Sequence, residues 1–449
     1  MRRNLSTVAG IALVVLAGAQ FARADVGVNA YVQTNLVASD ASYNPQIVDP
    51  HMINAWGIAL RPPGAGGHIW ISNNRDGTSS EYIGDVPGNP LHQDALRTVT
   101  LDTGAFADRG FALITGQVYN AASDLAGQPA EFSVSGPAHD LTTNPPTPLG
   151  TTSGSAKFVF VTKDGTINAW RSNSSTAMDS APVVVDYSKT AAFPSVYAAN
   201  PVYTGVAMTT IGASSANFGG GNHLFATDFR NGAIEVFDNQ WHDISPGVAQ
   251  DPTQAFHFQT PSTVQDLHPF NVMDLQGHLY VTYAKFDPNS DEGFEDVPGF
   301  GHLVEYNEDG TLAKDFNTNG SNDDGIMDSP WGVAIAPSTF GAFANDVLVA
   351  DFGNEGTIAA FDPNTGDFID DLRNPDGSVL TIDGVWGLAF GNGVSLGDAN
   401  SLYFTAGPNV EQDGLFGKVT VVPEPTAAAL CVAALIVPMF IRRRGARAV

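Results

Sequence analysis

Cysteine is almost absent from this chain of 449 residues, which contains a single one, Cys431. One thiol cannot form an intramolecular disulfide, so the fold has to depend on an apolar core, which a chain of this length can supply. Basic residues are also scarce, since 20 Lys and Arg stand against 47 Asp and Glu and give a formal net charge of −27. An acidic protein of this kind repels nucleic acids and anionic lipid surfaces, so we expect no nucleic-acid partner.

Common catalytic motifs are few as well. The sequence has neither a His-Glu-x-x-His zinc helix nor a phosphate-binding glycine loop, and its ten His residues include no pair at helical metal-ligand spacing. His residues recur at predicted strand starts, where capping a strand or facing solvent is the expected role. The sequence therefore favours a binding or structural protein over an enzyme.

What the chain does contain is a repeat. A bulky or β-branched residue followed by Gly, once by Asn, and then by apolar residues occurs six times, 55 to 89 residues apart. The six pairs are Trp56-Gly57, Thr115-Gly116, Thr204-Gly205, Phe270-Asn271, Trp331-Gly332 and Trp386-Gly387. Recurrence at such a period is typical of a repeat architecture.

Each repeat continues with strand patterns rich in β-branched and aromatic residues, separated by turns such as Asp164-Gly165 and Asn231-Gly232. Short strands repeated in this way predict an all-β fold, a six-bladed β-propeller over residues 25–422, with a sandwich or solenoid as the alternative. Residues 31–37 are expected to pair with residues 418–422 and close the ring. The long second interval predicts an extra loop over residues 121–155.

The two ends of the chain carry location signals. Arg2 and Arg3 precede an apolar stretch, and Ala22 and Ala24 fit a small-x-small cleavage site, so residues 1–24 are predicted to be a signal peptide. At the other end an apolar run precedes Arg442, Arg443, Arg444 and Arg447, which predicts a short transmembrane helix with a cytoplasmic basic tail. The two ends hold seven of the 20 basic residues, so the body between them is still more acidic.

The carboxyl-terminal segment, residues 423–449, resembles the PEP-CTERM sorting signal of Gram-negative bacteria. Pro423, Glu424 and Pro425 stand just before the apolar run, in the order that this signal has. The resemblance implies recognition by an exosortase-type protease, transient anchoring in the inner membrane, and a final place in the periplasm, on the outer surface or outside the cell. A plain membrane anchor is the alternative.

Polar residues at the ends of predicted inner strands could converge on a central tunnel and bind a ligand or Ca²⁺. The candidates are Asn54, Asp228, His268, Asn271 and Asp351. In the alternative interpretation the Asn and Asp side chains satisfy backbone groups of turns.

Two acidic loops offer alternating oxygen ligands of the kind that Ca²⁺ prefers. The candidate ligands are Asp287, Asn289, Asp291, Glu295, Asp315, Asn317 and Asn319. The second loop begins like an EF-hand, but its twelfth position is Ile326 in place of the bidentate Glu, so a solvated acidic loop is the alternative.

Several segments resemble an uncharacterised family of exported bacterial proteins that often carries the PEP-CTERM tail. They are residues 49–59, 70–74, 281–285, 329–332, 351–353 and 402–408. The resemblance implies a propeller and export but supplies no catalytic residue. Similarity to NHL-type repeats is weaker, and similarity to calcium-dependent lactonases of the gluconolactonase type is weaker still.

Two functions follow from these observations. The first is an exported binding or structural propeller of the envelope or extracellular matrix, with a polysaccharide or a protein as its partner. The second is a Ca²⁺-dependent hydrolase or lactonase with the metal in the central tunnel and His268 as a base.

Overall fold

The computed structural model describes residues 29–62, 66–104, 109–124, 129–188, 200–211, 221–246, 256–287, 294–295, 300–316, 326–353 and 355–423. Over these ranges the chain is all-β, with a few short helical turns. A search of the same ranges for a helix long and apolar enough to cross a membrane finds none. The predicted cleavage site at Ala22 and Ala24 and the tail from Glu424 and Pro425 onward lie outside the described residues, so both signals stay predictions.

The described ranges form 29 strands. They are β1 (Tyr31–Ala38), β2 (Ile47–Val48), β3 (Ala55–Ala59), β4 (Ile69–Asn73), β5 (Thr78–Tyr82), β6 (Thr98–Leu101), β7 (Ile114–Tyr119), β8 (Ser133–Asp140), β9 (Thr147–Ser155), β10 (Phe158–Thr162), β11 (Thr166–Trp170), β12 (Thr176–Met178), β13 (Ser180–Ala181), β14 (Val183–Asp186), β15 (Tyr203–Ile211), β16 (Gly221–Asp228), β17 (Ala233–Phe237), β18 (His268–Leu275), β19 (His278–Phe286), β20 (Phe294–Glu295), β21 (His302–Asn307), β22 (Leu312–Asp315), β23 (Pro330–Ile335), β24 (Val347–Asp351), β25 (Thr357–Phe361), β26 (Phe368–Asp371), β27 (Val385–Phe390), β28 (Leu402–Ala406) and β29 (Leu415–Val421). The helical turns are Ala41–Tyr43, Ala121–Asp124, Ser262–Val264, Gly341–Phe343 and Pro408–Glu411.

Six antiparallel sheets follow one another along the described chain, each built outward from an inner strand. In order they are β3-β4-β5-β6, β7-β10-β11-β14, β15-β16-β17, β18-β19-β21-β22, β23-β24-β25-β26 and β27-β28-β29-β1, numbered sheets 1 to 6 below. The short strands β13 and β2 add in parallel to β6 and β1. Neighbouring inner strands contact each other in a closed cycle, from β3 through β7, β15, β18, β23 and β27 back to β3. This is the arrangement of a β-propeller.

The repeated Gly positions are the points where neighbouring inner strands touch. A Cβ on Gly57 would lie 2.5 Å from the carbonyl oxygen of Thr115, and one on Gly332 would lie 2.3 Å from that of Trp386. At Gly387 the carbonyl oxygen of Trp56 would be 2.9 Å away. Backbone cannot move aside as a flexible side chain can, so only Gly permits this approach. The Gly of the sequence repeat is therefore required by the contact that joins one sheet to the next.

The predicted ring closure is confirmed. β1 pairs antiparallel with β29, from Tyr31 opposite Val421 to Ala38 opposite Leu415. The amino-terminal strand thus completes the sheet that begins with β27 near the carboxyl end. Lys418 on β29 also binds both carboxylate oxygens of Asp85, at 2.8 and 2.7 Å, and so ties sheet 6 to the segment after β5.

The prediction of an extra loop over residues 121–155 was wrong in part. Strands β8 and β9 form a hairpin there, and β12 pairs with β8 to make a separate three-stranded sheet. Val134 and Ala138 are buried and alternate with exposed residues along β8, and Val134 belongs to the same core as Phe132. The segment is strand because this alternation gives it one apolar face, although Gly136 and Pro137 weaken the strand signal in the sequence.

Candidate functional site

Aromatic side chains fill the central axis of the propeller near the first residues of the inner strands. Trp56 and Trp386 stack with centroids 3.9 Å apart, and Trp331 meets each of them edge-on at 6.4 Å. Phe270 lies 6.1 Å from Trp386, and all four are buried in one cluster, called here the axial cluster. Since each of these residues immediately precedes its Gly or Asn, the bulky half of the repeat closes the axis at this level.

Beyond the Gly or Asn, the inner strands surround a cavity of about 470 Å³, called here the channel mouth. Every inner strand contributes to this cavity. Its lining includes one large side chain from each inner strand or from the residue directly after that strand, namely Leu60, Tyr119, Met208, Met273, Ile335 and Phe390. A cavity of this size, mainly apolar with a few polar groups, is typical of small-ligand sites. With the axial cluster behind it, the mouth is blind at that end.

The polar side chains of the channel mouth are largely engaged with the fold. Gln117 donates to the carbonyl oxygen of Gly57 at 3.1 Å and accepts from Ser79 at 2.8 Å. Asp274 accepts from the backbone N–H of Gly277 at 3.2 Å. The lining side chains are chiefly aliphatic, aromatic and thioether, and Gln276 adds an exposed amide.

Two of the predicted tunnel residues, Asn54 and Asn271, support the axial cluster. The Oδ1 atom of Asn54 accepts from the indole nitrogen of Trp386 at 3.0 Å, and its Nδ2 donates to Asn74 at 3.3 Å. Asn271 donates to the carbonyl oxygen of Trp331 at 2.8 Å. Both are buried, and both amides are used to hold aromatic residues of the repeat.

Asp228 and Asp351 bind backbone N–H groups, as the alternative interpretation expected. Asp351 accepts from the backbone of Asp328 at 3.0 Å and of Ser329 at 2.9 Å. Asp228 accepts from the backbone of Val202 at 3.1 Å and of Asn231 at 3.2 Å. Each Asp thereby fixes the segment that enters the inner strand of its own sheet.

His268 contacts Phe229, the residue that follows Asp228. Its Nδ1 is 2.6 Å from the carbonyl oxygen of Phe229, and its ring stacks on Phe286 at 5.0 Å. The five tunnel candidates are thus held by separate sets of partners. Within the ranges that the structure describes, no three His, Cys, Asp or Glu residues form a group able to hold a metal ion.

One tunnel candidate, Asp228, forms a buried carboxyl pair with Glu235, which the sequence did not predict. Burial raises the pKa of Glu235 well above its ordinary value, and the charge of Asp228 raises it further. Burial also raises the pKa of Asp228. Tyr203 donates a hydrogen bond to Glu235, whose side chain is fully buried in sheet 3. A Glu within the apolar strand pattern of residues 233–237 was the available signal.

The predicted calcium loops are described only in part. Asn289, Asp291, Asn317 and Asn319 lie outside the described residues, as does the side chain of Glu295. Asp315 binds Nε2 of His302 at 2.6 Å and the hydroxyl of Thr263 at 3.0 Å. Asp287 follows β19 directly. The calcium site at these loops stays a prediction.

One motif that is typical of catalytic sites was not recognised from the sequence. Gly393, Ser395 and Gly397 form a Gly-x-Ser-x-Gly run, the pattern of the nucleophile elbow in α/β-hydrolases. The run lies in the connection from β27 to β28, where the backbone N–H of Ser395 donates to Asn392 Oδ1 at 3.0 Å. An elbow requires a strand-turn-helix context, and here the next element is a strand.

No protein-family model matches the chain. Uncharacterized protein R648 of Acanthamoeba polyphaga mimivirus is 27% identical over 390 residues, which cover 86% of this chain and 79% of that protein. Uncharacterized protein L690 of the same virus is 25% identical over 389 residues and covers 86% and 85%. These relatives are viral, whereas the sequence resemblance pointed to bacterial proteins.

Solved structures similar to this chain include propellers. The Dos1 propeller gives a TM-score of 0.37 at 7% identity, covering 84% of this chain and 70% of that chain. BamB from Moraxella catarrhalis gives 0.34 at 12% identity, covering 86% and 100%. A gluconolactonase from Xanthomonas campestris gives 0.31 at 13% identity, covering 59% and 82%.

Proposed function

We propose that this protein is a six-bladed propeller that is exported and binds a component of the cell envelope or extracellular matrix through its channel mouth. The six sheets would be the six blades, and the cyclic contacts of their inner strands support that count. The observation that carries the binding proposal is the blind cavity to which every inner strand contributes. Its occupant is an extracellular polysaccharide or protein that places an apolar group in the cavity, because most of the lining side chains are apolar.

The binding proposal is tested by filling the cavity. Ala389 lines the mouth and is partly exposed, so Ala389→Trp would occupy it, whereas Ala399 is exposed and does not line it. We expect Ala389→Trp to lose binding to isolated envelope and matrix fractions by about tenfold or more, because a bulky ring excludes the ligand group. Ala399→Trp should bind as the wild type does. Equal binding by all three proteins would contradict the proposal.

Sorting is tested separately. Deleting Pro423, Glu424 and Pro425 removes the proposed recognition motif and leaves the apolar run and the Arg cluster in place. The full-length deletion variant should then accumulate unprocessed in the inner membrane of a host with an exosortase-type protease. Normal processing of the variant would contradict a sorting role for this motif.

Calcium is tested in the same protein. A calcium-dependent hydrolase, or a calcium-stabilised loop, predicts a higher thermal midpoint with Ca²⁺ than with a chelator, because a ligand that binds only the folded state stabilises it. An unchanged midpoint would remove both calcium sites.

A further inference from the structure

A second cavity lies between sheets 1 and 2, away from the axis. It has a volume of about 500 Å³ and is called here the side pocket. Sheet 1 and its connections contribute Arg61, His68 and Asp94, and Lys157 contributes from the start of β10. Ser172 and Asn173 follow β11 at the same pocket. Arg61 and Lys157 therefore bring two cations to a pocket of a strongly acidic chain.

His68 stands between two carboxyl groups. Its Nε2 is 2.9 Å from Oδ2 of Asp94, and its Nδ1 is 3.6 Å from Oε2 of Glu81. The nitrogen that faces Asp94, Nε2, therefore lies where it can donate a hydrogen bond to a carboxylate. His68 thereby offers a hydrogen-bond donor to an anion in the pocket.

Glu81 is fully buried, and neither of its carboxyl oxygens has a hydrogen-bond partner among the described residues. Burial raises the pKa of Glu81 well above its ordinary value. A buried polar group without a partner costs stability, so its presence calls for an explanation. Glu81 lies against Nδ1 of His68, on the side of the ring away from Asp94.

Asp94 is the anion that occupies the pocket side of His68. Its side chain is 47% exposed, whereas that of His68 is 15% exposed. The other carboxylate oxygen of Asp94, Oδ1, accepts from the backbone N–H of Leu96 at 2.9 Å. The pairing of Oδ2 with His68 can be given up at little cost, because exposed ion pairs contribute little to stability. A ligand carboxylate of the right size could take its place at His68, with Arg61 and Lys157 nearby.

We propose that the side pocket binds a carboxylate-bearing sugar, of the size of one hexuronic acid unit, whose carboxylate replaces Asp94 at His68. The hydroxyl of Ser172 and the Nδ2 group of Asn173 are available to sugar hydroxyls, whereas Oδ1 of Asn173 accepts from the backbone of Ser175 and Thr176. The buried rings of Trp70 and Phe158 form the apolar wall. Sugar recognition commonly combines such polar groups with an apolar wall. This inference does not depend on the channel mouth.

The test is a titration of the full chain with sodium D-glucuronate and with D-glucose, followed by calorimetry or by shifts of the His and Trp NMR signals. We expect saturable binding of glucuronate and binding of glucose that is weaker by about tenfold or more, since charge-assisted hydrogen bonds are lost. Lys157→Gln should weaken glucuronate binding to a similar degree.

The decisive variant is Asp94→Asn, because it removes the competing anion. Glucuronate should bind Asp94→Asn several-fold more tightly than the wild type. Asp179→Asn is the matched control, since Asp179 is 48% exposed and binds His139 at 2.7 Å outside the pocket; it should leave the affinity unchanged. Three results would each overturn the proposal. They are weaker binding of glucuronate by Asp94→Asn than by the wild type, equal affinity of the wild type for glucose and glucuronate, and no saturable binding of glucuronate. A melting curve of every variant shows whether it is folded.

Discussion

Substituting Gly332 by Ala tests the contact that joins neighbouring sheets. The added Cβ would lie 2.3 Å from the carbonyl oxygen of Trp386 and 2.8 Å from the backbone nitrogen of Leu388. Both atoms belong to β27, so relief requires the backbone of a buried strand to move. Overpacking of this kind costs about 1–3 kcal/mol, and occasionally more, in the free energy of unfolding.

The matched control is Gly136→Ala in β8. Its Cβ would also meet an atom at short range, but that atom is the terminal methyl of Met178, at 2.6 Å. A flexible Met side chain moves aside cheaply, so we expect a loss below about 1 kcal/mol. The two variants therefore add the same methyl group and differ in what has to give way.

The assay is urea denaturation followed by far-ultraviolet circular dichroism. Tryptophan fluorescence should report the same difference, because Trp331 and Trp386 lie in the axial cluster next to the substitution. If Gly332→Ala unfolds at the urea concentration of the wild type, or if the two Ala variants lose equal stability, the close approach of β23 and β27 is not what fixes Gly in the repeat.

Two further predictions concern charge. Because burial holds the pKa of Glu235 above its ordinary value of 4.5, the native protein keeps a proton that the unfolded chain releases, and stability falls as the pH rises through that interval. Gln does not titrate, so the free energy of unfolding of Glu235→Gln should rise relative to that of the wild type as the pH increases from 4 to 8. A difference that does not change with pH would contradict the raised pKa. Lys418→Met removes the ion pair with Asp85 and should cost about 1–3 kcal/mol in urea denaturation, since the pair is only partly exposed and each partner would lose a charged hydrogen bond. An unchanged midpoint would show that the pair does not stabilise the contact between sheet 6 and the segment after β5.

Much of the scaffold could be predicted from the sequence because its main contact is made by backbone. The Gly of the repeat has one physical reason, close approach, and that reason is the same in every repeat that has Gly. Strand patterns rich in β-branched and aromatic residues were also strong signals, and β11, β17 and β25 are strands of this composition. The β8–β9 hairpin was missed because Gly136 and Pro137 interrupt an otherwise regular alternation.

The sites were harder to predict because they depend on register. Trp70 pairs with Glu81 across β4 and β5, which places Glu81 on the core face of sheet 1 and brings it diagonally close to His68. No local pattern shows that pairing. In the same way, the sequence placed Asn54 and Asn271 near the axis but could not show that their amides are used by Trp386 and Trp331.

Part of the acidic composition is explained by one recurring hydrogen bond. In sheets 2, 3 and 5, an Asp after or at the end of the second strand accepts from the backbone N–H that precedes the inner strand: Asp164 from Leu113 at 3.0 Å, Asp228 from Val202, and Asp351 from Ser329. A cation bound by these carboxylates would have to compete with hydrogen bonds that set the start of each inner strand. Calcium-dependent stabilisation, if it is measured, should therefore be abolished by substitutions in the loops that begin at Asp287 and Asp315, and it should survive Asp228→Asn, because Asn keeps an acceptor for the turn.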